Sequence, residues 1–444
     1  MTFRNTYLLA ITLLATLATC ESDDGVSNGD NNPQVISVET LGGSNNDSGQ
    51  SIIATNDGGY AILGFTQSSD GDILSKQDES YDYWILKFDA NDTLQWQKTY
   101  GGSGDDRGNS IIQTNDGGYA VLGTSNSNDN DVSGNSGMQD FWLAKLDVSG
   151  NLVWQTSYGY QGSDTGTSVI QTNDQGFLIL GVLDVTASGG EGNTQRNNSR
   201  HAGGDYWALK LDASGNIEWS KYFGGNFTDS PQAAVQTIDN EFIIVGGSDS
   251  EDTDISGNIG SYDFWVIKIS STGDLIWEKS YGGDQIDEAW AIVKEEDGNF
   301  VIAGDTRSST NDVGNNQGAA DIWLIKISPN GDLIWENTIG GTSFDVSRAL
   351  VKTTDNGFLL AGSSRSSDKD VSENQGQNDA WIVKVNANGN LLWEKNVGGS
   401  DIDFLYGIAQ LNDDSIIAVG DTSSNNGDIL ENKGFTDLLK IKMK

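Results

Sequence analysis

Asp140-Phe-Trp-Leu-Ala-Lys-Leu-Asp147-Val-Ser-Gly150-Asn-Leu-Val-Trp154-Gln-Thr-Ser-Tyr-Gly159 reads as two short strands of alternating character around a tight Ser-Gly-Asn turn. The unit recurs at Asp82, Asp205, Asp263, Asp321, Asp379 and, weakened, at Asp437. Its first Trp falls at Trp84, Trp142, Trp207, Trp265, Trp323 and Trp381. Its second falls at Trp96, Trp154, Trp219, Trp277, Trp335 and Trp393. These positions take twelve of the thirteen tryptophans, so the chain is a repeat before it is anything else.

The repeated Asp residues lie 58, 65, 58, 58, 58 and 58 residues apart, so one repeat carries a seven-residue insertion. Each period holds four strand-like runs; in the second they are Ser110–Thr114, Tyr119–Leu122, Phe141–Leu146 and Leu152–Ser157. Four antiparallel strands at this period predict an all-β, seven-bladed β-propeller over residues 34–444. Period-2 patterning and Gly-rich turns exclude a helical solenoid. The last repeat stops after its third strand, at Lys442-Met-Lys444, while Val35–Leu41, followed by Gly42-Gly43, matches a fourth strand alone. Pairing the two ends is expected to close the ring and cover two sheet edges. The two missing Trp positions, Ser37 and Leu439, both fall in that composite blade.

The Asp147-x-Ser-Gly150-x-x-x-Trp154 pattern resembles the tryptophan-docking motif of quinoprotein-type and WD40-like propellers, one residue shorter between Asp and Trp. That resemblance covers all seven repeats and implies architecture. Quinoprotein dehydrogenases add a vicinal Cys pair and a cofactor pocket. Cys20 is the only cysteine here, so that activity is not carried over. Non-catalytic lipoprotein propellers, which act as scaffolds or binding platforms, are the other resemblance.

Residues 1–20 read as a signal peptide. Arg4 supplies a basic start, Tyr7–Leu17 an apolar run too short to span a bilayer, and Leu17-Ala-Thr-Cys20 a cleavage-like end. The end resembles the lipobox of bacterial lipoproteins, with Thr19 where Gly, Ala or Ser is usual; the resemblance implies a lipid on Cys20 that anchors the chain to a membrane. An ordinary secretory signal with an incidental Cys is the alternative. Residues 21–33 are polar and Gly/Asn-rich and read as a flexible acidic tether. Their Glu-Ser-Asp-Asp-Gly start resembles the export signal of surface-displayed lipoproteins in the Bacteroidota, which implies an outer-membrane protein facing the exterior.

Sixty-four acidic against 25 basic residues give a net charge of −39. Such a surface repels nucleic acid and leaves cations, cationic partners, proteins and neutral glycans as candidate ligands.

Three sets of residues repeat around the ring. Asp47, Asp106, Asp164, Asp229, Asp287, Asp345 and Asp403 each follow a Gly-Gly-like corner by five residues. They read as corner caps, with a cation site at the channel mouth as the sharper alternative. A Lys three residues after the first Trp position (Lys87, Lys145, Lys210, Lys268, Lys326, Lys384, Lys442) points away from that Trp and is expected to pair with an Asp of a neighbouring blade. The long loops carry Asp-x-Asp at Asp70/Asp72, Asp129/Asp131, Asp252/Asp254 and Asp368/Asp370. Closely spaced carboxylates of this kind suit calcium, although no complete EF-hand loop is present; the alternative is solvated acidic loops. No cofactor is required by this inventory, and calcium is the one ion it admits.

Two places break the symmetry. The third repeat's insertion carries Arg196, Arg200 and His201, the last being the only His. It reads as a partner-contacting flap or as a tolerated insertion. Three residues past each ring Asp stand Gln50, Asn109, Thr167, Gln232, Trp290, Arg348 and Tyr406. Trp290, Arg348 and Tyr406 thus sit on three consecutive blades near the channel mouth, a set suited to a sugar or an aromatic group, or one that fills the channel. A lone His gives no triad, and no His/Cys cluster gives a zinc site. The expectation is a lipid-anchored, non-catalytic binding or scaffold module for glycan or protein. The alternative is a polysaccharide-active glycoside hydrolase using paired channel-face carboxylates.

Overall fold

The computed structural model describes residues 32–74, 76, 78–193 and 201–444. A compact unit spans Gln34–Lys444 and holds seven four-stranded antiparallel sheets. In blade 2 the strands are Asp106–Gln113, Tyr119–Ser125, Asp140–Leu146 and Leu152–Tyr158, paired in chain order. Blade 7 joins both ends of the chain. Val35–Leu41 pairs antiparallel with Asp437–Met443, from Val35 opposite Met443 to Leu41 opposite Leu438. The ring closes as expected, and no blade is left with an open strand edge at the seam.

Blades pack through the tryptophans. The first Trp is buried in each of blades 1 to 6, and Tyr83 of blade 1 donates its hydroxyl to the Trp142 carbonyl of blade 2 at 2.9 Å. The second Trp lies on the hairpin turn of the following blade. A Cβ on Gly150 would come within 2.7 Å of the Trp96 ring, and one on Gly331 within 3.2 Å of the Trp277 ring. Both glycines also sit at positive φ, +77° and +76°, which a side chain resists. Tyr100 locks the same turn by donating to the Gly150 carbonyl at 2.7 Å. The docking geometry implied by the sequence motif is therefore present, blade on blade.

The repeated lysines differ from expectation. Lys87 meets Asp57 at 2.8 Å, Lys145 meets Asp116 at 2.9 Å and Lys384 meets Asp355 at 2.7 Å, each partner lying in the turn between the first two strands of the same blade. Lys210 likewise meets Asp174 at 2.9 Å, and Lys268 meets Glu241 at 2.7 Å. Only at the seam does such a Lys cross blades, with Lys442 3.5 Å from Asp92. The Asp-Gly turn presents its carboxylate directly over the third strand, so the nearer partner wins.

Gly150→Ala should lower stability by about 1–3 kcal/mol, since it adds both an unfavourable φ and a clash with Trp96. A chemical-denaturation midpoint measures it; an unchanged midpoint would show that the turn does not bear on the docked Trp.

Candidate functional site

Each corner is built around the ring Asp. Asp106 is fully buried; its Oδ2 accepts the Gly102 N–H at 2.7 Å and the Ser127 hydroxyl at 2.8 Å, and its Oδ1 accepts the Ser125 hydroxyl. Asp47, Asp229, Asp287, Asp345 and Asp403 accept the corner amides of Gly43, Gly225, Gly283, Gly341 and Gly399 in the same way, at 2.7–2.8 Å. Asp164 departs from the pattern, taking the Tyr160 and Asp184 amides, both at 2.8 Å. The ring carboxylates are thus corner caps and do not line the channel.

A second carboxylate faces each cap across the corner glycine. A Cβ on Gly282 would lie 2.5 Å from Asp263 Oδ1 and 2.6 Å from Asp287 Oδ2, so only glycine fits. Burial, reinforced by the neighbouring carboxylates, pushes Asp229, Asp263 and Asp321 up to about 7. Asp82, Asp164, Asp379 and Asp437 rise to about 6, also through burial first.

The Asp-x-Asp loops serve the same corners. Asp129 accepts the Ser103 N–H and hydroxyl, both at 2.7 Å, while Asp131 takes a long contact from Gly101 N–H at 3.4 Å. Asp252 and Asp254 accept the amides of Asn226 and Gly224; Asp368 and Asp370 accept those of Thr342 and Gly340. Asp70 accepts the Ser44 amide at 2.8 Å. The spacing places one carboxylate on each of two corner N–H groups, which gives the pattern a structural task. Among the described residues no group of three His, Cys, Asp or Glu side chains is arranged to hold a metal.

The channel lining comes from one device repeated seven times. The register of the innermost strand slips between Gly49 and Ser51, Gly108 and Ser110, Gly166 and Ser168, Pro231 and Ala233, Ala289 and Ala291, Ser347 and Ala349, and Leu405 and Gly407. The skipped residue is a β-bulge, which turns its side chain out of the ladder. Those seven residues, Gln50, Asn109, Thr167, Gln232, Trp290, Arg348 and Tyr406, together line a 330 Å³ cavity in the central channel. Asn109 and Thr167 also tie blades together, donating to the Gly166 and Pro231 carbonyls at 2.7 and 2.9 Å.

Blades 5 to 7 supply the distinctive half. The Arg348 guanidinium lies 3.9 Å from the Trp290 ring centroid and 5.7 Å from that of Phe404. Its Nη1 donates to Asp305 Oδ1 at 2.7 Å and to the Ser347 carbonyl at 3.2 Å. Phe404 stacks on Tyr406, with centroids 4.9 Å apart, and burial pushes the Tyr406 phenol well above its ordinary value. Sequence reasoning found this trio but missed its support. Asp305 is buried and recurs at the same strand position only in blade 7, as Asp421, and its pairing with Arg348 sets it apart.

Of the insertion's three candidates, only His201 lies among the described residues. Arg196 and Arg200 lie outside the described residues. His201 is 1% exposed in its side chain, against Asp205 Oδ2 and edge-on to Tyr222, so it is packed inward and not presented to a partner. Cys20 likewise lies outside the described residues.

No protein-family model matches the chain. An uncharacterized WD repeat-containing protein of Acanthamoeba polyphaga mimivirus is 24% identical over 315 residues, which is 61% of this chain and 22% of that protein. The chain thus spans about a fifth of that relative's length. Among solved structures, the PQQ-bound aldose sugar dehydrogenase of Streptomyces coelicolor is 12% identical with a TM-score of 0.38, covering 93% of this chain and 98% of that one. Sqt1 of Chaetomium thermophilum is 11% identical with a TM-score of 0.42, covering 91% and 99%.

The corner carboxylates set a pH profile. Groups raised to 6–7 bind protons more tightly folded than unfolded, where the ordinary value is 3.8, so stability rises as pH falls from about 7 toward 4. Asp57, Asp116 and Asp355 resist the upward pull of burial and are held at about 2, by the bonds from Lys87, Thr114 and Lys145, and Lys384. Their contribution is present above 3.8 and lost below. The melting temperature should therefore peak between about pH 4 and 6; a steady rise to pH 8 would contradict the buried carboxylates. With the Asp-x-Asp loops already bonded to corner amides, EDTA should leave the melting temperature unchanged. A fall of several degrees would restore calcium to those loops.

Proposed function

We propose that this protein is a non-catalytic binding module that takes a sugar residue of a glycan in its central channel. In this reading the chain is lipidated at Cys20, carried on the acidic tether of residues 21–33, and displayed at the outer membrane.

One observation carries the proposal. Seven bulge residues converge on a single cavity, amide and hydroxyl side chains on the arc from blades 1 to 4, and Trp, Arg and Tyr on the arc from blades 5 to 7. A pyranose offers hydroxyls to the first arc and C–H faces to the second. At 330 Å³ the cavity is at the small end for a ligand pocket, which favours one sugar residue over a protein surface. The blades otherwise repeat one another closely, and their repeated carboxylates are committed to corners.

A second reading, polysaccharide hydrolysis, has one observation in its favour. Glu288 and Asp305 face each other across the first two strands of blade 5, behind Trp290. Burial and the Asp305 charge push the Glu288 carboxyl upward. Two carboxyls in unlike surroundings are the equipment of glycoside hydrolysis. Neither lines the cavity, and Asp305 is held by Arg348, so the binding reading is preferred.

A glycan array probed with the full chain should show saturable retention. Trp290→Ala should weaken it about tenfold, near 1.4 kcal/mol. Release of reducing ends from a retained polysaccharide, abolished by Glu288→Gln, would instead establish the hydrolase.

A further inference from the structure

The arginines are distributed in a way the repeat does not require. All four among the described residues, Arg107, Arg307, Arg348 and Arg365, stand where the inner strands meet the corner face. Each stacks on an aromatic ring. Arg107 lies 4.0 Å from Tyr81, Arg348 lies 3.9 Å from Trp290, and Arg307 and Arg365 flank Phe344 at 5.8 and 5.7 Å. In a chain of net charge −39, this places four fixed positive charges near the channel, two of them ion-paired, Arg107 with Asp105 and Arg348 with Asp305.

Arg348 is the member that reaches the cavity. Both of its hydrogen bonds use Nη1, to Asp305 and to the Ser347 carbonyl. The side chain remains 21% exposed while Asp305 is only 3% exposed. Among the described residues no hydrogen bond engages the Nε–Nη2 edge, Arg348 lines the cavity, and its guanidinium lies over the Trp290 ring. A flat guanidinium edge with two N–H donors matches a carboxylate in bidentate geometry.

We infer that the sugar taken by the channel carries a carboxylate, as a uronic acid does, and that Arg348 selects it. This rests on the reading of the channel as a sugar site and names the class of sugar. The carboxylate meets the open edge of Arg348, and the ring lies against Trp290 and Tyr406. The hydroxyls face the amides of Gln50 and Gln232. Asp305 is a positioning residue. It fixes the guanidinium plane and, as a competing anion, holds the affinity down. An extended polyanion is not favoured, because the same face carries exposed carboxylates at its corners, Asp129, Asp252 and Asp368 among them. Beyond about 8 Å, physiological salt screens the remaining charge, so one buried carboxylate is tolerated where a chain of them is not.

Calorimetric titration of the full chain with methyl glucuronide and, separately, methyl glucoside tests the inference. The acid should bind at least tenfold more tightly. Arg348→Met should bring the ratio to about one. Asp305→Asn, which keeps a side chain of the same shape, should raise the affinity for the acid severalfold. Thermal melts establish that each variant is folded. Equal binding of the two sugars by the native chain would overturn the carboxylate inference and leave the sugar site standing. A preference that survives Arg348→Met in a folded protein, or a drop in acid affinity with Asp305→Asn, would overturn the role given to Arg348. Binding of neither sugar would overturn both the inference and the site.

Discussion

At six of the seven blade junctions a buried carboxylate holds the N–H of a corner glycine and a hydroxyl at or just past the end of the second strand, and at the seventh Asp164 holds the Tyr160 and Asp184 amides instead. A carboxylate is costly to bury, and here the cost is offset by at least two donors to each group. Its position fixes where the innermost strand begins. The strand then runs three residues to a bulge, and the bulge side chain enters the channel. Move the corner and the bulge loses its aim. The opposing carboxylate explains the rest of the junction, because with an oxygen on either side the corner has no room for a Cβ. The lining of the channel therefore depends on a structural unit repeated around the ring.

The architecture was legible because it is written redundantly. Tryptophans at fixed intervals, turns of Asp-x-Ser-Gly type and a terminal half-repeat all point to one closed ring, and Val35–Leu41 sits where that logic places it. Period-2 reading also places the residues three past each ring Asp on one line. It does not reveal why they leave the sheet, since a bulge shifts parity by a single unpaired residue that no hydrophobic pattern marks. Partner assignment was the weaker step. The lysines were assigned to neighbouring blades because their faces are opposite to the Asp of the same strand. The turn carboxylates of Asp57 and Asp116 recur at the same period, and spacing alone cannot rank the two. The Asn-Asp-Gly-Gly sequence was the available signal. For the Asp-x-Asp loops, carboxylate density left calcium and solvated acidic loops both open, and alternate residues of the loop in fact reach alternate amides of the adjacent corner. The insertion that carries His201 reads from sequence as a partner-contacting flap or a tolerated insertion, and neither marks the side chain as packed. It is buried because Asp205 and Tyr222 supply a hydrogen bond and a ring edge.

Sevenfold repetition and function pull apart in this molecule. What the blades share, they use for themselves: caps throughout, and docked tryptophans and lysine–turn pairs in all but the seam blade. What only some blades have is concentrated at the channel, in Trp290, Arg348 and Tyr406 with Asp305 and Phe404 behind them. Trp290 lies outside the repeat pattern that fixes the other twelve tryptophans. A ring this strongly acidic in which the four described arginines stand at one face has a local chemistry unlike its average.

The central claim is that ligand enters the channel at the bulge residues and nowhere else. Trp290 permits a direct measurement. In the full chain labelled with 5-fluorotryptophan, the resonance lost in Trp290→Phe identifies that residue among thirteen. Adding methyl glucuronide should shift that resonance and leave those of the twelve docked tryptophans in place. A shift confined to any of the other twelve, or none at saturating sugar, would contradict the account.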